Sequence, residues 1–292
     1  MAGFLGTTTS FSIFEAPVPS KLDFEAVRAW AFSDAVTPEG TRLGWVGLGN
    51  AVDTDFSFGI DHGRFAALSL RVDSRKASGA ALKLQLAEAV QEELAQSGHI
   101  SNEREKELRE AILAKLISKA EWTPALTDCL WDLEKGRLLV AASPKAALPL
   151  LERFTSTFGV DAQPYTPNED LPSFFARLSR ENVSVNGREL SCAGSATLAT
   201  PLHVEGKMAV AVQNNENTIA SALDEGLIIR KLAMIADASD GTLEFSLDTS
   251  LTVSGLKLPK AEKGADADTD FLLKADVCVM VADLALAIAG VG

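Results

Sequence analysis

Cysteine, histidine and tyrosine are scarce in this 292-residue chain: three cysteines, three histidines and one tyrosine. Cys129, Cys192 and Cys278 lie far apart in apolar surroundings and form no CxxC pair, so neither a disulfide framework nor a cysteine metal knuckle is expected. They read as buried, reduced thiols. His62, His99 and His203 stand at turns or loop edges, and none has another histidine or a cysteine at metal-binding spacing. No metal and no cofactor is expected. No apolar run is long enough to cross a bilayer; Val277 to Gly292 is too short and carries Asp283. The first residues lack a basic region followed by an apolar stretch, so no signal peptide is expected. Together these absences predict a cytoplasmic protein with no membrane partner.

Positive charge is also in deficit. Lysine and arginine number 27 against 40 acidic residues, a net charge of −13. That excludes a generic basic coat for nucleic acid but not DNA binding, since only a contacting surface must be cationic. A hydrophobic content of 47% supplies an ample core.

The most regular pattern runs from Lys76 to Trp122. Leu82, Leu86, Val90 and Leu94 recur every fourth residue, and Leu108, Ile112, Leu113, Leu116, Ile117 and Ala120 share one face of a second helix. Ser97-Gly98 stops the first helix, Asn102 with Glu105 caps the second, and Pro124 ends it. Such a charged hairpin reads as a tip inserted into an α+β domain.

Around it, strands are expected at Phe11–Glu15, Phe56–Ile60, Arg64–Arg71, Asp128–Leu133 and Arg137–Ala142, with helices after Ser20 and Ser143. Gly44 to Gly49 is too glycine-rich for a regular strand and lacks nucleotide-loop spacing. Asp161 to Pro172 reads as a linker. Beyond it come an Asn186-Gly187 hairpin, a strand over Lys207–Gln213, a helix over Thr218–Leu223, and three strands over Leu227–Ala236, Thr242–Asp248 and Leu251–Leu258. Ala261–Asp270 reads as a loop. Phe271–Met280 closes as a strand and Ala282–Ala289 as a helix. The expected class is α+β: mainly antiparallel sheets with helices, two lobes and an inserted helical tip. The expected domains are 1–75 with 123–172, a tip at 76–122, and a second α+β domain at 173–292.

Asp266, Asp268 and Asp270 imitate a calcium loop, but Phe271 and Val277 replace its turn glycine and closing glutamate. Ser195 lacks a nucleophile-elbow pattern. Nothing specifies an active site, and the chain is not expected to be an enzyme. Arg71, Arg75 and Lys76 precede the hairpin, while Lys115 and Lys119 lie four apart near its end. They read either as a solvated face with ordinary dipole pairing or as one phosphate-binding patch.

Several stretches together resemble the bacterial recombination-associated RdgC family. They are Gly44-Trp45-Val46, the run from Arg71 to Leu86, Glu105 to Leu108, Leu116 to Ala120, Leu130-Trp131-Asp132 before Gly136 to Val140, Glu225 to Ala233, and Asp268 to Ile288. The resemblance covers most of the chain in order. It implies a homodimer closed into a ring around double-stranded DNA, with centre, base and helical tip domains. It also implies little sequence preference, a nucleoid-associated location, an indirect effect on the recombinase RecA, and no well-defined enzyme activity despite exonuclease labels. The residues expected to contact DNA are Arg71, Arg75, Lys76, Lys115 and Lys119, from their clustering at the hairpin, with Gln213 added by the resemblance; Leu94, Leu108, Ile112 and Trp122 are expected at tip or dimer contacts. Lys119 stands at a family arginine. Glu121 replaces the family aromatic, with Trp122 one residue later. Val212-Gln213 falls on a family Lys-Gln pair and loses its charge. A protein of the same fold that has lost DNA binding is the alternative.

Overall fold

The computed structural model describes residues 3–201, 209–213, 215–238, 241–260, 264 and 266–291. The chain divides into two compact units: unit 1 holds 1–31, 45–70 and 127–292, and unit 2 holds 32–44 and 71–126. The elements in chain order begin with β1 (Thr8–Glu15), α1 (Glu25–Ala29), β2 (Arg42–Val46), β3 (Asp61–His62) and β4 (Phe65–Ser74). Then come α2 (Gly79–Ser97), α3 (Asn102–Lys119), β5 (Thr123–Asp132), β6 (Arg137–Val140), α4 (Pro144–Phe158), β7 (Gln163–Pro164) and α5 (Leu171–Leu178). The remainder is β8 (Val183–Val185), β9 (Arg188–Ala199), β10 (Ala209–Val212), α6 (Glu216–Asp224), β11 (Ile228–Ala238), β12 (Gly241–Asp248), β13 (Thr252–Lys257) and α7 (Ala267–Ile288).

The fold is α+β. The strands run in the order β10-β9-β11-β12-β13-β1-β6-β5-β4-β2, with β3, β7 and β8 added beside β4, β1 and β9. β1 lies between β13 and β6 and so joins the later strands to the earlier ones. Its Thr8 pairs antiparallel with Lys257 and its Ile13 with Leu139. Tight turns set the local registers. Asn186 and Gly187 both take positive φ between β8 and β9, the geometry a two-residue hairpin requires. Gly136, at φ 61°, does the same work between β5 and β6, where Asp132 faces Arg137.

Both faces of the unit 1 sheet are covered. Alternate residues of a strand point to opposite faces. Leu130 and Leu139 join the apolar cluster that contains α7, whereas Trp131 packs edge-on against Phe154 of α4, ring centroids 4.8 Å apart. Trp131 also donates its indole N–H to the Ala16 carbonyl at 2.9 Å, and Trp45 donates to Thr157 Oγ1 at 2.8 Å. Both buried indoles therefore have their polar atom satisfied.

Several expectations are corrected. Phe271–Met280 is not a strand; it belongs to the single 22-residue helix α7. α7 is buried on nearly every side, so it carries no helical period, and its valines imitate a strand. Gly44-Trp45-Val46 lies within β2 rather than a loop. Phe56–Ile60 forms turns, with Phe56 at φ 56°, so the first hairpin is only β3 against β4. The helix after Ser20 begins at Glu25 and is five residues long. Ser101, not Asn102, caps α3, and Pro124 sits in β5 after α3 has ended at Lys119. The segment read as a linker holds β7, paired with β1. His203, Asp240, residues 207 and 208 of the expected strand, and most of 261–265 lie outside the described residues.

Candidate nucleic-acid interface

Unit 2 carries ten of the 27 lysines and arginines and eleven of the 40 acidic residues, a net charge of −1. The other −12 of the chain's −13 therefore belongs to unit 1. A polyanion meets far less repulsion at unit 2.

Two helices make up most of that unit. Ser78 Oγ accepts from the Ala81 amide at α2, and Ser101 Oγ accepts from Arg104 at α3. Gly98 closes α2 at φ 71°. Across the turn, Arg104 binds Glu93 at 3.0 Å and Glu107 at 2.9 Å, and these bonds raise its pKa. Neither helix buries a residue. Leu82, Leu86, Val90, Leu108, Ile112 and Leu116 are half-buried, while Leu84 and Leu94 stay exposed. The stripes read from periodicity thus cover one another only partly.

A groove runs between the helices. Lys115 and Lys119 line it from α3, and Glu88 and Glu92 line it from α2. The two lysines are exposed, as is Lys76. Arg75 stands by the end of α3, with Nη1 donating to the Ser118 carbonyl at 3.4 Å. Its guanidinium carbon is 4.3 Å from the centre of the Trp122 ring. A second guanidinium, Arg42, lies over the same indole, also at 4.3 Å. Arg42 also binds Asp34 at 2.6 Å. Two cations on one ring are a strong local concentration of positive charge, held by the indole's electron-rich face.

Arg71 is differently placed. It sits 3.9 Å over the Phe32 ring and forks onto Asp73, which is buried; the hydrogen bonds to that carboxylate raise its pKa. Gln213 is exposed at the end of β10 and belongs to unit 1. Leu94 is exposed, and Leu108 and Ile112 are half-buried within unit 2. Trp122, read from the sequence as a tip residue, contacts the two arginines. Arg42 was missed because eighty positions separate it from Trp122 and nothing in its own neighbourhood marks it.

Residues suggestive of chemistry in unit 1 have structural partners. His62 Nδ1 lies 2.7 Å from Asp268, with its ring packed between Phe58 and Phe271. Asp266 caps α7 by accepting from Thr269, and Asp270 binds Lys274 at 2.6 Å. Burial pushes the thiols of Cys129 and Cys278 far up, which keeps them unreactive. Among the described residues, no group of three or more His, Cys, Asp or Glu is placed to hold a metal, and no helix is long and apolar enough to cross a membrane.

These observations define an α+β protein with a large antiparallel sheet and a near-neutral helical unit, two of whose arginines stack on one tryptophan. The chain belongs to the RdgC family: the family model described as "Putative exonuclease, RdgC" matches residues 12–291. No curated protein matches it.

Proposed function

We propose that this protein binds double-stranded DNA without sequence preference, as a ring-shaped homodimer on the nucleoid, and modulates recombination by limiting recombinase access. The observation that carries the reading is the charge division: unit 2 is nearly neutral and holds Arg75, Lys76, Lys115 and Lys119, whereas unit 1 holds almost all the net negative charge. Such contacts bind phosphates and read no bases. Four of them would give a slope of about −3.6 in log affinity against log salt, so a fourfold rise in salt costs about two orders of magnitude.

A rival reading keeps the fold and discards DNA. It draws on Glu88 and Glu92 in the lysine groove and on the uncharged Val212. The family description adds a third, duplex degradation. Gel retardation of two end-labelled duplexes of unrelated sequence, with and without magnesium, separates them. Equal retardation of both intact duplexes at low salt is expected. No retardation supports the rival, and magnesium-dependent shortening of the label supports a nuclease.

A further inference from the structure

The pairing of Arg42 and Arg75 on Trp122 has a chemistry of its own. Stacking on an indole occupies the flat face of a guanidinium and leaves its edge N–H groups to bind. In both arginines the Nε atom is buried and has no hydrogen-bond partner among the described residues, so the Nη ends carry the donor capacity. Arg75 spends one of these on a peptide carbonyl at 3.4 Å, a weak use, and no carboxylate pairs with it among the described residues. Arg42 spends one on Asp34, whose side chain is 85% exposed. An ion pair that exposed is held only weakly against water and counterions. Arg71 gives the contrast: its Asp73 is 2% exposed and bound twice.

We propose that Arg42, Trp122 and Arg75 form a rack that grips the phosphodiester backbone, and that Asp34 competes with the phosphate for Arg42. The inference rests on the duplex-binding reading above and adds to it a positioning residue, Trp122, a new contact, Arg42, and an internal competitor. Planar guanidinium forks suit phosphate oxygens better than the point charge of a lysine. Trp122 sets the spacing of the two forks and touches no ligand itself.

Fluorescence anisotropy of a labelled duplex, read across a salt series, tests this with the full chain. Asp34→Asn removes the competitor and should tighten binding about two- to fivefold at low salt, the range an exposed ion pair commands. Arg42→Gln should weaken binding and reduce the salt slope by about 0.9. Trp122→Phe should retain the wild-type slope, because a ring face remains, and Trp122→Ala should lower it. Asp34 is on the surface, so its variant is not at risk of misfolding. If the wild type binds and neither Asp34→Asn nor Arg42→Gln changes affinity or slope, the rack is overturned while duplex binding stands. If neither the wild type nor Asp34→Asn binds at low salt, the duplex reading falls and the rack with it.

Discussion

Arg71 and Asp73 are bound to each other by two hydrogen bonds, Nε to Oδ1 at 2.8 Å and Nη2 to Oδ2 at 2.7 Å, two residues apart on β4. The carboxylate is almost wholly buried. This arginine's charge is therefore neutralised by a buried carboxylate, whereas Arg75, four residues on, meets a ring and a carbonyl and no carboxylate among the described residues. Two arginines that look alike in the sequence thus have different surroundings: one is paired with a buried carboxylate, and the other has no carboxylate partner among the described residues.

Breaking the Arg71–Asp73 pair should therefore cost stability rather than DNA affinity. Arg71→Gln leaves a buried carboxylate without its cation, and we expect a loss of about 3 kcal/mol in urea unfolding. The folded fraction should bind duplex with the wild-type salt slope. A stable variant with a reduced slope would place Arg71 among the phosphate contacts.

The hairpin stripe bears on assembly. Because α2 and α3 bury no residue, their apolar face has no full partner among the described residues of one chain. A two-fold homodimer would supply one. Light scattering at micromolar protein should give about twice the 31.0 kDa chain mass. Ile112 is half-buried, so Ile112→Asp should cost only about 1 kcal/mol within the chain. It should shift the mass toward 31.0 kDa while near-UV dichroism is retained. A wild type that stays monomeric across concentrations contradicts the ring.

Legibility followed the physics of each segment. The helical hairpin could be read because a half-exposed helix must alternate apolar and polar residues with its own period. Its stop at Gly98 was equally plain, since a left-handed residue was needed there. α7 could not be read, because a helix surrounded by protein has no polar face to reveal its period. The β2 strand was hidden by glycines that a covered sheet tolerates. At the candidate site, the lysines and Arg75 were visible as local clusters. Arg42 and Asp34 were not, because they reach Trp122 and its neighbours through the tertiary fold alone.

Acid should loosen the start of α7 in a predictable way. Asp266 accepts a hydrogen bond from the Thr269 amide, and that bond holds its carboxyl below the ordinary aspartate range. A depressed folded pKa stabilises above the unfolded pKa, and the contribution is lost as pH falls through the folded value. Exchange protection of the Thr269 amide should therefore decline below about pH 4, where an aspartate begins to take up its proton. Asp266→Asn should flatten that dependence. Equal acid sensitivity in the variant would remove Asp266 as the cause.

The salt dependence of duplex affinity in the wild type and in Lys115→Glu/Lys119→Glu tests the central claim most directly. Both lysines are exposed, so the double variant should fold with a stability change under about half a kcal/mol per site. We predict duplex binding by the wild type at about 20–50 mM salt, falling steeply as salt rises, with affinity abolished in the double variant. A wild type that does not bind duplex at that salt contradicts the DNA reading. A double variant that binds as well as the wild type contradicts the assignment of the interface to the lysines of α3.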